Sequence, residues 1–265
     1  MVAAAADPSA APAGLPGRWV PGYARGVIVV VGDPVLRPFG DGDISMAAGS
    51  AATIARACVQ AGGTVQLAGK VGDDAAGNEI LLSLSRDGIG HVALLRDAGL
   101  ATRIEPAPTA ATVEPDLDAP SVDAAWAIES ADDDASVHAT PVAQTTLVPE
   151  AGPSALAPED LDLALRYLVT FSVLVVAEPL TSETLAVAAE AAAFSGAHLV
   201  IAAHSGDTRP LAGDVVTVLE PPRLDPDGDF ADLVARYALA LDNGTTPAAA
   251  FRAALGGSSW EPATT

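Results

Sequence analysis

The sequence predicts an α/β fold with a mainly parallel central sheet covered by helices. Three observations predict it. The run Gly26-Val-Ile-Val-Val-Val-Gly32 is continuous and β-branched, which suits a strand buried on both faces. Helical and strand patterns then alternate along most of the chain, the signature of βα units. Glycines follow the helical stretches at Gly62-Gly63, Gly196 and Gly256-Gly257, where helices commonly stop.

In order, the first strand leads through a loop holding Gly40, Asp41, Gly42 and Asp43 to a helix over 50–61. A strand is expected over 64–68 and a helix over 78–86, closed by Asp87-Gly88. From 105 to about 158 Pro, Ala and acidic residues dominate. This stretch reads as an acidic loop or a lid-like insertion, and a hairpin of strands 125–129 and 136–140 around Asp132-Asp133-Asp134 fits it equally. Ala157-Pro158-Glu159-Asp160 has the proline and acids of a helix start. After it come a helix over 161–168, a strand over 172–177, a helix over 182–195 and strands over 198–203 and 215–219. Helices over 230–241 and 247–255 finish the chain. Residues 1–25 read as a disordered Ala/Pro-rich leader, 26–256 as one domain and 257–265 as a flexible tail.

Composition narrows the function. Half of the residues are hydrophobic and only 4% are aromatic, so the core must be built from small aliphatic side chains. The lone cysteine, Cys58, excludes an internal disulfide framework and reads as a buried thiol. A net charge of −21 argues against nucleic acid and anionic membranes as partners, and mildly against polyanionic nucleotides. Lys70 is the only lysine. No window approaches the ~18 apolar residues of a membrane span, and residues 1–26 lack the basic start and apolar run expected of a secretory signal, so a soluble cytoplasmic protein is expected. His91, His138, His198 and His204 show no metal-ligand spacing, and no metal site is expected. His204-Ser205-Gly206-Asp207 has the residue types of a hydrolase triad, but adjacent side chains diverge and a loop explains them.

Several segments together resemble the ribokinase (PfkB) carbohydrate kinases. Ala48-Gly-Ser-Ala-Ala-Thr53 is similar to that family's Gly-Gly-x-Gly-x-Asn loop at the start of a helix. Ala68-Gly-Lys-Val-Gly-Asp-Asp-Ala-Ala-Gly77 is similar to its Gly-x-x-Gly-x-Asp-x-x-Gly motif, followed by a helix ending in Arg86-Asp-Gly-Ile. The stretch 153–162 resembles a family loop ending in Leu-x-Pro-Glu-Asp, and Leu219-Glu-Pro a remnant of Pro-Asn-x-x-Glu. Asp225-Pro-Asp-Gly-Asp-Phe-Ala231 occupies the place of Asp-Thr-x-Gly-Ala-Gly-Asp. The resemblance covers most of 26–255. It implies a three-layer ribokinase-like sandwich with a small β lid as an option. Because the loop between Pro34 and Ile44 is short, any lid is expected from 101–149.

The resemblance also implies what phosphoryl transfer would need: a base at the last Asp of the final motif, and an anion hole of glycine amides at a helix start. Here the gapless match puts Ala231 at the base position and Gly228-Asp229-Phe230 over the Gly-Ala-Gly run, leaving Gly228 as a remnant of the hole. Asp229 or Asp232 could supply the base only if the register slips. At the acceptor end, the family's sugar-binding Asp falls near Arg37, with Asp33 too early and readable as a turn residue before Pro34. The loop's Asn falls on Thr53, with Gly49 in the same loop. Only 221–224 separate the Pro-Asn-x-x-Glu remnant from the final motif, where active relatives carry several dozen residues of the nucleotide pocket. A fold truncated in its nucleotide-binding half is therefore expected. The leading expectation is a non-catalytic binding or interaction module with no cofactor, a homodimer, its partner a protein or a small metabolite. The competing expectation is an active sugar or nucleoside kinase using ATP and Mg²⁺ at an atypical site.

Overall fold

The computed structural model describes residues 26–39, 44–105, 155–168, 170–202, 216–222, 225 and 228–256. The leader, the tail, the 125–129/136–140 hairpin, His138, and 204–207 lie outside the described residues.

The β-branched run forms β1 (Val27–Val31), and Ile28 to Val31 are completely buried. A two-stranded antiparallel hairpin follows, β2 (Val35–Phe39) and β3 (Ile44–Ala48). Next come α1 (Gly49–Gln60), β4 (Thr64–Gly72), α2 (Ala75–Arg86) and β5 (Gly90–Asp97). Beyond 154 the chain continues as α3 (Pro158–Arg166), β6 (Val173–Val176), α4 (Ser182–Ser195), β7 (His198–Ile201) and β8 (Val216–Val218). It ends in α5 (Asp229–Asp242) and α6 (Pro247–Leu255).

Six strands make one parallel sheet in the order β5-β4-β1-β6-β7-β8. The alternation of a pleated strand divides its side chains between two cores. Ile28 and Val30 face a layer that includes α1, α5 and α6, while Val29 and Val31 face α3 and α4. The result is a three-layer sandwich. Small residues let the layers approach closely: Ala51, Ala52, Ala55, Ala57 and Cys58 of α1 share a core with Ala231, Ala235 and Ala238 of α5.

Two corrections to the sequence reading follow. A hairpin does form on the short segment 35–48, and it is extended on one side because the Leu36 N–H donates to Arg103 O and the Glu105 N–H to Leu36 O. The lid-like element thus draws on both 35–48 and 103–105. The second correction is β5, an edge strand absent from the sequence reading. Among the described residues the sheet ends at β8, and ten residues (219–228) lead straight into α5. No helix among the described residues is long and apolar enough to cross a membrane.

Candidate functional site

The sheet changes winding direction between β1 and β6, since the chain runs from β1 outward to β4 and β5, then returns to β6 and proceeds the other way. In open parallel sheets, ligands bind outside the carboxyl ends of the strands at such a point. The second residue after each of these two strands is an acid. Asp33 follows β1 and Glu178 follows β6, and they are 3% and 1% exposed. Burying carboxylates so completely demands partners.

Asp33 finds them on three segments. One carboxylate oxygen accepts the Lys70 N–H at 2.8 Å and the other the Ala155 N–H at 2.6 Å. Its own N–H donates to Glu178 Oε2 at 3.2 Å, and its carbonyl accepts from Arg103 Nη2 at 3.3 Å. Arg103 Nη2 also stands 3.6 Å from Glu178 Oε2. Burial pushes the Glu178 carboxyl up to about 7; the Asp33 N–H opposes this, the Asp33 charge adds to it and Arg103 pulls it back. Lys70 bridges Asp160 at 2.7 Å and Asp97 at 3.1 Å. Asp160 in the first place holds its ammonium above the ordinary lysine range.

Beside this network lies a small recess of about 70 Å³ between Asp33 and Pro34, Lys70 and Val71, the turn 100–103, and Ala155. The turn is fastened by the 68–77 motif. Asp74 caps α2 by accepting the Gly77 N–H at 2.8 Å, and it takes the Thr102 N–H at 2.9 Å and hydroxyl at 2.7 Å. These bonds, led by the Thr102 N–H, hold its carboxyl below the usual range. The glycines are needed for close approach: a Cβ on Gly69 would lie 2.1 Å from Gly32 O, and one on Gly72 2.4 Å from Leu100 O. The motif most resembling a kinase signature therefore builds a wall of the recess.

The second locus is the amino end of α5. Gly228 precedes it with φ +76°, a conformation that glycine adopts easily. Asp225 Oδ2 accepts the Phe230 N–H at 3.2 Å, so a carboxylate already occupies this helix start. Asp229 and Asp232 add negative charge in the first turn. Ala231 is buried in the core of α1 and α5.

No family model matches the chain, and no curated protein matches it. Solved structures do. The aminoimidazole riboside kinase from Salmonella enterica matches at 14% identity with TM-score 0.50, over 86% of this chain and 90% of that one. Phosphofructokinase-2 from Escherichia coli matches at 13% identity and TM-score 0.51 over 86% and 90%. Its tetrameric inhibited form gives 12% and 0.52 over 88% and 93%. The fold is that of the ribokinase-like carbohydrate kinases.

Within this ribokinase-like frame, the sequence candidates separate. Asp33 lies on the recess and holds its walls together. Gly49 opens α1 near it, with φ +83° and a virtual Cβ 3.8 Å from Asp33 O. Arg37 is on the hairpin and pairs with Glu105 at 2.6 Å, and Thr53 is exposed on α1. Gly228, Asp229, Ala231 and Asp232 belong to α5, and none of them lines the recess. Sequence reasoning missed Glu178 and Arg103. The signal for Glu178 was an acid set directly after the wholly apolar run Val173-Leu-Val-Val-Ala177. Among the described residues no group of three His, Cys, Asp or Glu side chains is placed to hold a metal ion.

Proposed function

We propose that this ribokinase-like protein has lost phosphoryl transfer and serves as a binding module whose ligand is a small metabolite held in the recess at the β1/β6 switch point. The observation that carries the reading is the start of α5. A transferring phosphoryl group needs small residues, open amides and a nearby base. This helix start has a carboxylate on the Phe230 amide, two further acids in the first turn and a buried methyl at Ala231. A negative side chain there opposes the charge that develops in the reaction. The short 219–228 connection supports the same reading, because it leaves little chain to wall a nucleotide. The recess supports the binding half by its place at the carboxyl ends of the strands and its fixed, hydrogen-bonded walls, and its volume of about 70 Å³ suits a ligand of only a few heavy atoms.

A homodimer belongs to the same proposal, and sedimentation velocity on the full chain decides it. The catalytic half is tested by following ADP release with Mg·ATP over a panel of sugars and nucleosides. No acceptor-dependent release is expected. Turnover that disappears in Asp229→Asn or Asp232→Asn would identify a working base and overturn the reading.

A further inference from the structure

The polar groups around the recess offer donors more than acceptors. Its side-chain acceptors are already engaged. Both Asp33 oxygens take backbone N–H groups, and the Thr102 hydroxyl donates to Asp74 while accepting the Gly72 N–H at 2.9 Å. The Lys70 partners Asp97 and Asp160 hold its ammonium. Donors remain. A guanidinium has five N–H groups. Among the described residues Arg103 meets only Asp33 O at 3.3 Å and, beyond hydrogen-bond reach, Glu178 at 3.6 Å. Its side chain is 44% exposed on the rim of the recess. The neighbouring walls at Pro34, Val71, Leu100, Ala101 and Ala155 are apolar. A planar fork of open donors beside apolar walls matches a planar, two-oxygen acceptor.

We propose that the recess takes a small carboxylate, gripped by the Arg103 guanidinium in place of its distant contact with the buried Glu178. This deepens the binding-module reading and rests on it for the recess being a ligand site. Glu178 then acts as an internal competitor. The charged groups facing it are Asp33, through its N–H and its carboxylate, and Arg103. When a ligand draws Arg103 away, Glu178 loses the one cation that favours its ionised form and holds its proton more firmly. Binding therefore takes up a proton near neutral pH, and affinity weakens as pH rises from 6 to 8. One linked proton allows a change of up to about tenfold per pH unit.

The test is an NMR titration of the full chain with acetate, with inorganic phosphate and with chloride at equal ionic strength. The backbone amides of 100–103 and the arginine Nε–H signals are followed at pH 6 and pH 8. Acetate is expected to give saturable shifts at 100–103, tighter at pH 6, and at least about tenfold weaker in Arg103→Gln. Glu178→Gln is expected to bind acetate with no pH dependence, which keeps the proposal testable should Arg103→Gln fail to fold. The proposal is overturned if acetate does not saturate below about 10 mM, if saturation survives in Arg103→Gln, if phosphate alone binds, or if Glu178→Gln retains the wild-type pH dependence. Mg·ATP shifts confined to α5 would instead sink the binding-module reading and leave the signals at 100–103 to decide this one.

Discussion

Glu178 is a carboxyl with almost no water around it, and its behaviour in acid and base follows from that. Its value in the fold is about 7 against 4.5 unfolded. Between those values the folded chain keeps a proton that the unfolded chain has released, so stability falls as pH rises through this window. The loss is on the order of 3 kcal/mol across the whole window. Denaturant unfolding of wild type and Glu178→Gln from pH 4 to 8 should show the variant gaining on wild type as pH rises, and a constant difference would contradict the assignment. Gly69 gives a steric prediction. A methyl there must push against Gly32 O, so Gly69→Ala should destabilise by about 3 kcal/mol, read from the urea midpoint. Cys58 behaves as the sequence suggests: wholly buried, with burial pushing its thiol up to about 12. Labelling by a thiol reagent at pH 8 should proceed only as fast as the protein opens, and rapid labelling of the native state would contradict that burial. Cys58 was legible because a lone thiol among small apolar residues has one obvious place. Arg103 was not, because its role depends on a turn fastened by Asp74, nearly thirty residues away in the chain.

Elements were read best where a strong local pattern coincided with a stop signal. The α4 bounds match the sequence reading residue for residue because Thr181 caps its start and Gly196, at φ +66°, ends it. The α6 bounds match as well, because Pro247 takes the first helical position, which proline favours, and Gly256 follows the last. The hairpin was missed because Val35-Leu-Arg-Pro-Phe39 holds an arginine and a proline and takes its partners from β3 and from 103–105. The edge strand β5 pairs with β4 alone and is only partly buried, so it lacks the continuous β-branched run that marks β1. For α5 the decisive contact is Asp225 on the Phe230 amide. Asp225→Ala should lower stability by about 1 kcal/mol, as loss of a helix-start acceptor does, visible in thermal melts. If the helix start is closed for chemistry by the whole surrounding sequence, the variant should still show no phosphoryl transfer.

At the scale of the molecule, the parallel sheet and its helical layers were written in the alternation of strand and helix, and the core in the abundance of alanine and valine. The location of the recess was not, since it depends on strand order: β1 and β6 become neighbours although about 140 residues separate them, and only that pairing brings Glu178 to Asp33. What the fold retains is the recess at the carboxyl ends of β1 and β4. What it lacks among the described residues is sheet beyond β8. The central claim, a kinase fold kept for binding without its nucleotide chemistry, is met most directly by a thermal-shift titration of the full chain with Mg·ATP. A ligand that binds only the native state at 100 times its Kd adds about 2.7 kcal/mol. No rise in Tm is expected at any Mg·ATP concentration, and a rise that grows with the logarithm of that concentration would refute the claim.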